Sequence, residues 1–258
     1  MAEQTELTTQ ILSAWAVQML RMTAFYHHPQ ELDISGWWEQ ITDNSSEKDT
    51  NQPKNATRIV EGLLGDDLLV LRKTPVAVEL HFMSPTQSSN DIKGIPSIGN
   101  YEEECPIFLE LVKKLFNVQK FPSIKRLAFG AILNLPLTTE IEQVIRQLIP
   151  YMKNMKMDPA NSGEFLYRIN RKRSSTIGVS GLSINRLNTW SVISYRRVSV
   201  GLDTAQSSTS EPYYACQLQL DINTSQDFTD CLPSDKLRAI FEELISMGTE
   251  IITNGDIP

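Results

Sequence analysis

The sequence has few of the side chains that most often carry chemistry. Three histidines, His27, His28 and His81, are spread through 258 residues, which restricts both acid/base work and zinc ligation. Adjacent histidines on a strand point to opposite faces, so His27 and His28 read as a turn before Pro29, and His81 as a packed strand residue. Cys105, Cys216 and Cys231 are odd in number and lack a CxxC pair, which excludes a disulfide framework and suits a reducing compartment. No apolar run approaches the roughly 18 to 20 residues that span a bilayer, and the first residues lack a basic and hydrophobic leader pattern. A cytoplasmic protein without membrane association is the expectation. Gly62-Leu63-Leu64-Gly65 has no Lys-Ser/Thr after it, GxGxxG is absent, and the second glycine of Gly178-Val179-Ser180-Gly181 falls one position early for a nucleophile elbow. No cofactor is expected.

What the chain does contain is enough apolar material for a substantial core. The apolar set is 41%, and 12 glycines and 13 prolines without a repeat exclude fibrous and low-complexity classes. The net charge of −7 conceals an uneven distribution. Residues 121–200 hold 12 Lys and Arg against 4 Asp and Glu, whereas residues 201–258 hold 2 against 10. Two outcomes follow: a basic surface for a polyanion, or internal neutralisation as the acidic C-terminal segment packs across the basic one.

Periodicity predicts a strand over Ala14 to Tyr26 and a short helix carrying Trp37, Trp38 and Ile41. Asp43 to Asn55 reads as a polar loop. Arg58 to Leu63, Leu68 to Arg72 and Val76 to Phe82 read as a meander, Ser84 to Asn100 as a long loop, and Pro106 to Phe116 as a helix. A second strand, Lys125 to Leu135, is followed by a helix with Thr139 and Glu142 as its capping box. Glu164 to Arg171, Leu182 to Val200 and Tyr213 to Ile222 alternate as strands, and a last helix follows Ser234, with Gly248 as its stop. The expected fold is α+β with two similar halves, 1–120 and 121–258. Each runs strand, helix, strands, helix, as a mainly antiparallel sheet covered by helices on one face. The two halves form either separate units or one continuous domain.

The most informative stretch is Phe165 to Ser175 with Ser183 to Arg186, in which Ile-Asn-Arg occurs twice. Pairing of these segments is expected to gather Arg168, Arg171, Lys172, Arg173 and Arg186 near one hairpin, with Tyr167 and Trp190 as aromatic planes. Trp37 and Trp38 are the other unusual feature. Adjacent indoles on a helix face different ways, so one is expected to be exposed as an anchor for a partner. These features point to a non-catalytic binding or assembly component that meets another protein through a sheet surface and loops. An RNA- or DNA-binding module built on hairpin 165–186 is the second reading, and an enzyme with an unfamiliar site the third.

Overall fold

The computed structural model describes residues 2–28, 32–85, 95–196, 198–200, 207–209 and 211–257. In chain order they form α1 (Ala2–Ser13), β1 (Ala16–Tyr26), α2 (Trp37–Thr42), β2 (Lys48–Gln52), β3 (Thr57–Leu64), β4 (Asp67–Lys73) and β5 (Ala77–Met83). Then follow β6 (Gly99–Asn100), α3 (Tyr101–Phe116), β7 (Ile124–Asn134), α4 (Ile141–Leu148), β8 (Leu166–Ser174) and β9 (Ser183–Tyr195). The short pair β10 (Val198–Val200) and β11 (Ser207–Thr209), β12 (Tyr213–Thr224) and α5 (Leu237–Asn254) complete the chain.

Ten of these strands form one antiparallel sheet in the order β2-β3-β4-β5-β1-β7-β12-β9-β8, with the two-residue β6 also pairing with β1. β1 and β7 lie side by side at its centre. Residues from both ends of the sequence therefore share one hydrogen-bonded surface. Because side chains alternate along a strand, the two sides of this sheet differ sharply. One side carries Leu20, Met22, Leu69, Leu71, Leu80, Leu127, Phe129, Leu218, Ile222, Ile184 and Trp190, all fully buried. Against it pack the apolar residues of α3, α4 and α5. Phe241 of α5 sits 6.0 Å from Phe129, 6.4 Å from Phe108 and 6.0 Å from Phe116, ring centre to ring centre. The other side carries half-buried or exposed residues, among them Met19, Arg21, Glu79, His81, Asp221, Thr189 and Arg168, beside small or polar buried ones such as Thr23, Ala128 and Asn223.

Several local expectations need correction. Helix α1 was not foreseen; its segment is mostly polar, and Leu12 is one of the side chains that tie it to the core. Within the expected loop Asp43 to Asn55, β2 pairs with β3 by charge rather than by apolar alternation. Lys48 bonds Glu61 at 2.7 Å and Arg58 bonds Asp49 at 2.6 Å. Helix α3 starts earlier than Pro106, where the Asn100 side chain accepts a bond from the Glu103 N–H at 3.1 Å. The capping box at Thr139 does not form. Thr138 Oγ1 instead accepts from the Glu140 N–H and donates to Gln143 Oε1. Gly248 does not stop α5, which runs to Asn254 and ends at Gly255 with φ of 76°. A Cβ at Gly248 would lie 3.1 Å from Phe129 and 3.3 Å from Leu220, so the glycine there permits close packing of helix on sheet. Of the expected long loops, residues 86–94, 201–206 and 210 lie outside the described residues, as does Arg197.

Trp37 and Trp38 are both buried, at 2% and 3% exposure, so the expected exposed indole is absent. The core reaches two sides of the short α2. Trp37 lies 5.8 Å from Phe121, whereas Trp38 packs against β3 where Gly62 leaves room; a Cβ there would lie 2.9 Å from the indole. Because Phe241 joins sheet and helices at one point, Phe241→Ala is expected to cost about 3–5 kcal/mol, measured as the loss of unfolding free energy in urea.

Candidate functional site

The residues of the basic hairpin divide between the two sides of the sheet. In β8 the period of two sends Tyr167, Ile169, Arg171 and Arg173 toward the helices, and Leu166, Arg168, Asn170 and Lys172 to the open side. The repeated Ile-Asn-Arg therefore places isoleucine and arginine on the same side, so Arg171 and Arg186 gather with Arg173 toward the helices and Arg168 is the arginine left on the open side. Arg171 and Arg186 are direct register partners. Facing like charges destabilise a strand pair, and here α5 and the residues after it supply the compensation.

Asp256 accepts from Arg171 Nε at 2.7 Å and Nη2 at 2.8 Å, and from the Tyr167 hydroxyl at 2.7 Å. Glu250 bonds Arg173 at 2.8 Å and lies 3.3 Å from Arg186 Nη2. Arg186 is only 2% exposed, and burial lowers its pKa against the pull of Glu250. Lys172 pairs with Asp227. Two helical turns before Glu250, Glu243 accepts from Ser175 Oγ, the Thr176 N–H and Thr176 Oγ1, so α5 also holds the turn that follows β8. Of the alternatives posed by the charge distribution, internal neutralisation by the acidic C-terminal segment is the one formed at Arg171, Lys172, Arg173 and Arg186. Trp190 is fully buried, stacked on Tyr151 at 5.1 Å, and offers no plane to a nucleobase.

Arg168 is the exception. It is exposed and makes no ion pair or hydrogen bond among the described residues. It lines a depression of ≈ 400 Å³ on the open side, together with Arg21, Met19, Ile132, Leu187, Thr189, Gln219 and Asp221. The register accounts for the shape. His81, Arg21, Gly130, Asp221 and Leu187 are successive partners across β5, β1, β7, β12 and β9. Gly130 has no side chain to fill its place, and the Arg21 guanidinium lies over it; a Cβ on Gly130 would lie 3.1 Å from Arg21 Nε. That Nε is buried without a hydrogen-bond partner among the described residues. Nearby, the Glu79 carboxyl is held below its ordinary pKa mainly by His81, with smaller contributions from Arg72 and Arg21. A second hollow of ≈ 340 Å³ lies toward one end of the same strands, where Arg126 sits 5.1 Å from the centre of the Phe25 ring.

Sequence reading missed Arg21. The available signal was a lone cation at an alternating position of an otherwise apolar strand, facing the half of the chain that carries Gly130. No group of three or more His, Cys, Asp and Glu able to hold a metal occurs among the described residues. Nor is any described helix long and apolar enough to cross a membrane.

The clamp at Asp256 has a predictable pH signature. Hydrogen bonds from Arg171 and then Tyr167 lower its pKa, so its stabilising contribution is complete above the unfolded carboxylate value near pH ~4 and is lost as pH falls through the lower folded value. Asp256→Asn is expected to cost about 1–3 kcal/mol at pH 7, with the gap to the wild type closing below pH ~4 in urea titrations. Compared with known protein families, with curated proteins and with solved structures, the chain matches none.

Proposed function

We propose that the protein is a non-catalytic binding component that receives a partner protein on the open side of its ten-stranded sheet. One observation carries this reading. Arg21 and Arg168 border a single depression there and make no ion pair among the described residues, while the hairpin's other cations are matched to carboxylates. Unmatched guanidinium groups beside partly exposed apolar residues such as Met19, Ile132 and Leu187 are characteristic of recognition surfaces, where arginine is enriched. The scarcity of histidine and the lack of a metal-ligand cluster among the described residues give catalysis no support of comparable weight.

Strand, short helix, strands and long helix run in that order from β1 to α3 and again from β7 to α5. This supports the reading of two related halves whose helices cover one side and whose strands jointly present the other. The nucleic-acid reading of hairpin 165–186 is weakened by the carboxylates that engage four of its five cations.

Thr189 lies on the open side beside Arg168, and Glu110 is exposed on α3. Affinity capture from the native source is expected to recover the same protein with wild type and Glu110→Lys, and to lose it with Thr189→Trp of unchanged thermal stability. Retention of the partner by Thr189→Trp, or recovery of nucleic acid alone, would overturn the proposal.

A further inference from the structure

Arg21 and Arg168 stand at opposite ends of the depression. Arg21 belongs to β1 and Arg168 to β8, with β7, β12 and β9 between them. Strands lie about 4.8 Å apart, so the two backbones are separated by about 19 Å along the sheet, less the inward reach of two long side chains. Between them the floor carries Met19, Ile132 and Leu187, with Gln219 and Thr189 as polar neighbours. Asp221 interrupts the positive potential midway.

This is not the profile expected for a phosphate chain. Such a chain carries a negative charge at every residue and would bring one against Asp221. Two separated cations over an apolar middle instead suit an extended peptide with acidic residues at two positions. In an extended chain every second side chain points the same way, and each residue advances about 3.3 Å. Glutamates four residues apart are then separated by about 13 Å on one side of the peptide, with a small aliphatic residue between them on that same side. Planar guanidinium groups bind carboxylates through two parallel bonds. The Arg21 guanidinium, which lies against Gly130 and makes no ion pair among the described residues, provides the cation at one end of the depression. Asp221 is then available to accept from the peptide backbone.

Resting on the proposal that the open side receives a protein, we infer that the Arg21–Arg168 depression is a subsite for an extended acidic peptide. Two carboxylates, four residues apart, occupy its two ends.

Fluorescence anisotropy with a labelled Gly-Glu-Ser-Val-Ser-Glu-Gly peptide tests this. The wild type is expected to bind it at least tenfold more tightly than the same peptide with both glutamates replaced by glutamine. Arg168→Gln, at an exposed and unpaired position, should reduce that preference at least fivefold with no change in thermal unfolding, and Arg21→Gln should do the same. Equal affinity for the two peptides would overturn the subsite. So would tighter binding of a labelled uridine octamer that is lost in the same variants, which would assign the depression to a phosphate chain. The broader reading fails separately. A captured partner lost with Thr189→Trp but kept by both arginine variants removes the acidic-peptide subsite alone. Indifference of both peptide and partner to Thr189→Trp removes the two together.

Discussion

Pairing of β1 with β7 is the contact on which the architecture turns. The two strands are separated by about a hundred residues of sequence, yet they form the centre of the sheet and join the first strands to the last. Without that ladder, the apolar side chains of β1 and β7, Leu20, Met22, Leu127 and Phe129 among them, would lose the continuous surface that α3 and α5 bury. Non-local pairing of this kind is entropically costly to close, and the shared core beneath it provides the compensation. The same ladder sets Arg21 opposite Gly130, so one register choice determines both the hydrophobic layer on one side and the depression on the other.

Deep burial of the apolar side of the sheet has a second consequence for charge. Polar residues on the helix side have little water and require internal partners. Arg186 is the extreme case: it shares Glu250 with Arg173, while Asp256 holds Arg171 and the Tyr167 hydroxyl, so three cations are held by two carboxylates. Arg168, on the open side, is exposed to solvent and under no such demand, so it is tolerated without a partner among the described residues. Alternation along β8 thus decides which side each cation faces, Arg171 and Arg173 toward the helices and Arg168 and Lys172 away from them, while Asp227 pairs Lys172 and leaves Arg168 unpaired among the described residues.

Much of the local structure was legible in the residues. β3, β4 and β5 were visible because Val60, Leu69, Leu71, Val78 and Leu80 sit at alternating positions of the meander read over Arg58 to Leu63, Leu68 to Arg72 and Val76 to Phe82. The last helix was visible from the spacing of Leu237, Ile240, Phe241 and Leu244. What escaped has physical reasons. β2 is held at the sheet edge by ion pairs, which leave no apolar period. Gly248 resembles a helix stop because conformational freedom and smallness cannot be told apart from sequence; here smallness is what is used. The adjacent tryptophans were expected to diverge in exposure, but a six-residue helix with core on two sides buries both. Strand order, and with it the meeting of Arg21 and Arg168, depends on long-range pairing that no local window contains. The separation of Arg168 from Arg171 and Arg173 was within reach of simple alternation, but counting charges over the whole hairpin obscured it.

The facing arginines of β8 and β9 also bear on how the chain assembles. A ribosome releases both strands before it releases α5, so for that interval Arg171 and Arg186 have neither Glu250 nor Asp256 to oppose their repulsion. The electrostatic compensation of the hairpin therefore comes only with the docking of α5 and the residues after it, which bring Glu250 and Asp256 against the two arginines.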